Sequence, residues 1–171
     1  HEDCRRQRQM CIRDRPTELG NTKNFIESLK KNFKNVTFEA SRLEDIISGS
    51  GISKIYETLT HEKLSAEEIF KKFLDKEPDA LFVINGFIKS LSQTLSDLAL
   101  SFLPGKGILL AGSLSRSIYT HFNEQNFFKP FINNNTGMHF DILKNTPIGV
   151  ITKERTPLYG NLSFYKNLNK I

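Results

Sequence analysis

The chain has 171 residues, with 24 Lys and Arg against 19 Asp and Glu, and two cysteines. That length suits one domain with a real core, the modest basic excess gives no ground for a nucleic-acid partner, and two cysteines make no disulfide framework. The longest apolar stretch is interrupted by Asn85, Lys89 and Asp97, so no membrane span is expected; with no secretory apolar segment either, the expected location is cytoplasmic.

The first fifteen residues differ from the rest. His1 to Arg15 holds five of the eight arginines and both cysteines, Cys4 and Cys11, with no lysine and no asparagine. The remainder holds sixteen lysines, fourteen asparagines and three arginines. So sharp a shift reads as a translated sequencing-adapter tail, non-native and expected to be disordered, and is set aside from fold reasoning. The other reading is a basic arm for nucleic acid. Without the tail the body has no cysteine and a net charge of +3, nineteen basic against sixteen acidic residues.

Along the body, Asn21 or Thr22 opens a helix with an inward stripe of Phe25, Ile26, Leu29 and Phe33. Val36-Thr37-Phe38 is β-prone. Ser41-Arg42-Leu43-Glu44 has capping-box spacing and leads into a helix that is expected to stop at Ser48-Gly49-Ser50-Gly51. A second short helix carries Ile52, Ile55, Tyr56 and Leu59. Ser65-Ala66-Glu67-Glu68 is another capping box, ahead of Ile69, Phe70 and Phe73.

The longest element is expected from about Asp79 to Leu103. Leu81, Ile84, Ile88, Leu91, Leu95, Leu98 and Phe102 recur at alternating steps of three and four, and Phe82, Phe87 and Ala99 widen the stripe. This describes a buried central helix; a coiled coil is the alternative. Pro104-Gly105 ends it. Gly107 to Ala111 then reads as a strand, Ser115 to about Phe128 as a helix, and Ile148 to Thr152 as a second strand. Strand, helix, strand at this spacing is a βαβ unit with parallel strands and a right-handed crossover. Asn133 to Gly137 is a turn, and Leu158 to Leu168 a last helix. The class is α/β, helix-rich.

Two places carry chemistry. Glu44 stands beside a glycine-rich segment, where a carboxylate accepts from hydroxyls; it is equally the acid of a capping box begun by Ser41. Gly112-Ser113 ends a strand and opens a helix, a turn that aims backbone N–H groups at an anion, or is simply a βα turn. His61, His121 and His139 have no second ligand at metal spacing, and His139 lies in an expected edge strand. No metal ligand is assigned.

These stretches resemble the bacterial glucokinase family of the actin-like ATPase superfamily. Glu44 to Ile52 with Tyr56 is similar to its Glu, apolar run, Ser-Gly-x-Gly, aliphatic, Tyr pattern. Leu110-Ala111-Gly112-Ser113-Leu114 resembles its adenosine-binding Ala-Gly-Gly segment, and Pro157-Leu158-Tyr159-Gly160-Asn161 its C-terminal turn and helix. The resemblance implies a ribonuclease-H-like sugar-kinase fold, with residues 17–171 as the C-terminal, large-domain portion. It implies Glu44 as a glucose ligand, and Gly112, Ser113 and Leu114 as the nucleotide contact. ATP and Mg2+ would be the cofactors, and a homodimer the full-length form. Ser113 stands where the family has a second glycine.

The chain departs from the family at its start. No aspartate is followed by x-Gly, the family's phosphate-hairpin signature, and no Asn-Asp pair supplies the catalytic base. The Glu-Gly-Gly-His sugar segment belongs just before Thr17, where the foreign-looking tail ends. The expectation is thus a glucokinase fragment inactive on its own. The alternative is a non-catalytic sugar-binding transcriptional regulator on the same fold.

Overall fold

A computed structural model describes residues 22–132 and 137–168. The expectations for residues 1–15, for Asn21 as a cap and for the turn at residues 133–136 lie outside that range.

The polypeptide is organised around one helix. Helices α1 (Thr22–Lys30), α2 (Gly49–Thr60) and α3 (Ala66–Leu74) precede α4 (Pro78–Phe102), which is 25 residues long. β1 (Ile108–Leu110) follows, then α5 (Ser113–Ile118), α6 (Lys129–Ile132), α7 (Met138–Lys144), β2 (Ile148–Val150) and α8 (Thr156–Leu168). Helix α4 starts well: Pro78 takes the first helical position, where its missing N–H would have no partner, and the Glu77 carboxylate accepts from the Ala80 amide at 3.2 Å.

Ala80, Val83, Ile84, Phe87, Ile88, Leu95 and Ala99 of α4 are buried, and the helix packs on α2, α3, α6 and α7. Facing it are Ile52, Ile55 and Tyr56 of α2, Ile69 and Phe73 of α3, and Phe127, Phe131 and Leu143. Each such side chain contributes about 1.5–3 kcal/mol by leaving water. The stripe predicted from the sequence holds in its middle and fails at its end, where Phe102 is exposed. Its second half also buries Ser90, Ser92, Thr94 and Ser96; Thr94 donates to the Ser90 carbonyl and Ser92 to the Phe127 carbonyl, which pairs these two hydroxyls inside the core. His121 closes one end of this core, edge-on to the Phe70 and Phe73 rings.

The two strands pair in parallel, in the register Ile108↔Ile148, Leu109↔Gly149 and Leu110↔Val150, and the crossover between them is helical. This is the expected βαβ unit, with a different interior. The helix expected from Ser115 to Phe128 breaks at Phe122. Asn123 then caps a single π-turn, Glu124–Phe128, by accepting from the amides of Gln125 and Asn126. Asn126 returns the bond to the Asn123 amide and also donates to Asn85 of α4, which fixes the break against the core.

Two further expectations are corrected. His139 lies in α7, because Met138 to Lys144 folds as a helix and not an edge strand. Val36-Thr37-Phe38 takes no strand pairing; Phe38 instead stands edge-to-face on Phe33, which is buried. Among the described residues no helix is long and apolar enough to cross a membrane.

Candidate functional site

The segment around Glu44 is a single 3-10 turn, Leu43–Asp45, between α1 and α2. The capping role that spacing offered to Glu44 falls to Asp45. One Asp45 carboxylate oxygen accepts from the amides of Ser41 at 3.0 Å and Arg42 at 2.9 Å. Ile46, directly after, is fully buried and pins the turn to the core, whereas Glu44 is half-exposed.

Ser48-Gly49-Ser50-Gly51 begins a helix and does not end one. Ser48 is the N-cap of α2, its Oγ accepting from the Gly51 amide at 2.9 Å. The same hydroxyl donates to the Glu44 carbonyl at 2.6 Å. Its one proton is then spent, so the 2.9 Å contact with the Ser50 hydroxyl is donated by Ser50. Gly51 is required by space: a Cβ there would stand 2.7 Å from the Asp45 carbonyl oxygen. The turn bearing Glu44 lies directly on the backbone of α2.

Farther along α2, buried Tyr56 anchors the helix. Its hydroxyl accepts from Lys72 at 2.9 Å and donates to Glu77 at 3.3 Å, and Lys72 also pairs with Glu62 at 2.8 Å. The bonds to Glu62 and Tyr56 hold the Lys72 ammonium well above the usual lysine range.

The second place is the end of β1. Gly112 is the N-cap of α5, with φ +132 and ψ 162, a conformation that side-chain-bearing residues rarely adopt. Nothing lies within 4 Å of where its Cβ would be, so backbone conformation selects glycine here and packing does not. Ser113 keeps a negative φ, and replacing the family's second glycine therefore introduces no strain. Gly112 and Ser113 are exposed, and Leu114 turns partly onto the core. Glu44 and Gly112 thus belong to different layers, one on the α2 backbone and one at the tip of the sheet.

Among the described residues no three His, Cys, Asp or Glu side chains are grouped to hold a metal ion. Sequence reasoning missed Asp45 and Ser48. Ser48 carried a usable signal, since a serine three residues before Gly51 is at N-cap spacing.

A long helix packed by shorter ones, with a parallel βαβ edge feeding a glycine turn, is the architecture of part of an α/β sugar-kinase domain. A crystal structure of glucokinase from an Antarctic psychrotroph has the same fold, with a TM-score of 0.62 at 22% identity, over 88% of this chain and 46% of that one. A curated glucokinase of Mesorhizobium japonicum (strain LMG 29417 / CECT 9101 / MAFF 303099) is 27% identical over 131 residues, 72% of this chain and 38% of that protein. The Glucokinase family model matches residues 16–168, and the chain belongs to the glucokinase family. It spans less than half the length of both relatives.

Proposed function

We propose that this chain is the C-terminal portion of an ATP-dependent glucokinase, which transfers the γ-phosphoryl of Mg-ATP to glucose in the cytoplasm. In this reading the Glu44 carboxylate accepts hydrogen bonds from sugar hydroxyls, charge-assisted and therefore of the stronger kind. Backbone N–H groups at Gly112, Ser113 and Leu114 face the nucleotide, where the open space above Gly112 admits close approach. Mg2+ bound with the nucleotide would supply neutralisation of phosphate charge; no ligand for it is assigned in this chain. What these residues contribute is orientation and charge placement, which account for most of the barrier lowering in phosphoryl transfer. The base that takes the hydroxyl proton and the phosphate hairpin come from outside this chain, whose sequence has neither Asn-Asp nor Asp-x-Gly.

The observation that supports this best is the division of labour at residues 44 and 45. The Ser41 and Arg42 amides go to Asp45, so the capping explanation for an acid at position 44 is met by its neighbour.

A coupled ADP-release assay tests the proposal. The 171-residue chain is expected to show no glucose-dependent turnover, and a polypeptide extended to the length of its relatives is expected to show it. In the extended protein, Glu44→Gln should weaken glucose binding by about 1.5–3 kcal/mol, the range for a hydrogen bond to a charged group, with unchanged stability. Glucose affinity near that of the unmodified protein, measured by calorimetry, would remove Glu44 from the sugar site. Turnover by the short chain would overturn the fragment reading.

A further inference from the structure

We propose that Ser48 is a positioning residue for the Glu44 carboxylate, acting with Asp45 and Gly51 as one brace; the inference rests on the sugar-ligand reading of Glu44. A three-residue 3-10 turn has poor hydrogen-bond geometry and holds no direction by itself. Whatever fixes the turn fixes the backbone from which the Glu44 side chain projects. Asp45 ties its leading edge through the Ser41 and Arg42 amides. Ser48 ties its trailing edge through the Glu44 carbonyl. Gly51 lets the first turn of α2 lie against the Asp45 carbonyl, and α2 is itself anchored by Tyr56 to Lys72 and Glu77.

Ser48 is more than a cap. An N-cap needs only to accept from an amide, which Ser48 does for Gly51. The bond it donates to the Glu44 carbonyl adds nothing to the α2 ladder. It joins the backbone of the carboxylate-bearing residue to the helix behind it, so that backbone cannot shift away from α2 without breaking this bond. A merely structural serine and a positioning serine therefore predict different things about glucose.

The test is a double-mutant cycle in the protein at the length of its relatives, with glucose and ATP titrated separately and unfolding followed alongside. Ser48→Ala is expected to weaken glucose about tenfold and to leave ATP within about twofold, because lost orientation acts on one ligand only. Ser48→Thr keeps both the donor and the acceptor and should restore glucose affinity to within about threefold. With Glu44→Gln already present, Ser48→Ala should cost glucose nothing more, the coupling expected of residues acting as a unit. Strictly additive losses, or a lowered melting point with unchanged glucose affinity, would reduce Ser48 to a helix cap and overturn the proposal. If Glu44→Gln itself leaves glucose binding intact, the sugar-ligand reading fails and the brace with it. If Glu44→Gln weakens glucose and Ser48→Ala does not, the brace alone fails. Should Ser48→Ala not fold, Asp45→Asn keeps an oxygen for the two amides; about a threefold loss in glucose affinity is then expected, and no loss overturns the brace.

Discussion

Two of the glycine-bearing turns among the described residues, those at Gly51 and Gly112, are built on opposite principles. At Gly51 the glycine is demanded by crowding: backbone lies against backbone, and a Cβ would stand 2.7 Å from the Asp45 carbonyl. At Gly112 the space is open and the demand comes from φ +132 alone. One turn is locked by neighbours, the other is a conformation open to glycine with room in front of it. Crowding suits a residue that must aim a side chain. Open space suits a backbone that a ligand approaches.

The contrast breaks most sharply with Gly51→Ala. Helix propensity favours alanine by about 1 kcal/mol, but the clash is with backbone, which cannot step aside. The net expectation is a loss of about 2–3 kcal/mol in stability, read as a lower urea midpoint with an unchanged slope. An unchanged or raised midpoint would mean that the Asp45 turn is not pressed onto α2.

Gly112→Val probes the other turn in the extended protein. Forcing a β-branched residue to positive φ costs about 1–3 kcal/mol, and the new side chain fills the space assigned to the nucleotide. ATP should weaken by more than about tenfold while glucose changes little, since a blocked approach acts on one ligand. Equal weakening of both, with a lowered melting point, would leave Gly112 as a structural turn only.

The smallest expected effect sharpens the comparison from a site with no ligand role. Glu68 closes a capping box on Ser65, accepting from its hydroxyl at 2.7 Å and its amide at 2.8 Å, and these bonds hold its carboxyl below the ordinary value. A depressed folded-state value means that the contribution is present above the unfolded pKa and lost as pH falls through the folded one. Stability should therefore be level near neutrality and decline below about pH 4.5. Glu68→Gln should remove part of that decline, measured as urea midpoints from pH 7 to pH 3. An identical acid profile for both proteins would mean that the box does not persist in solution.

Much of the frame was legible in the residues. The 3-4 alternation from Leu81 to Leu95 marked α4, and Ser65 with Glu68 marked the start of α3 with its box intact. The parallel pair was legible from two β-prone runs separated by helix-forming sequence. The turns were harder, because one residue type serves two purposes. Ser-Gly-Ser-Gly punctuates a helix at either end, and only the bond from the Gly51 amide to Ser48 decides which. Adjacent acids at 44 and 45 fit the same cap within one residue, and spacing cannot choose between them. The break at Asn123 depended on Asn85, 41 positions distant from Asn126, which no local pattern contains. Ser113 stands where the family has a second glycine, and its negative φ, which no local pattern reports, is what lets a serine take that place.

Helix α4 is capped at its start by Glu77, which is bonded to Tyr56 of α2, and its cap at Leu103 leads within a few residues into β1, which ends at the Gly112 turn. At 1.5 Å per residue it is a rod of about 37 Å. A tilt of only about 2° at the Tyr56 end swings the far end by roughly 1 Å, the scale on which orientation for reaction is won or lost. The rod therefore works as a ruler as well as a core: it sets the spacing between the Tyr56 end of α2 and the Gly112 turn, and a substitution that re-seats it would move both at once.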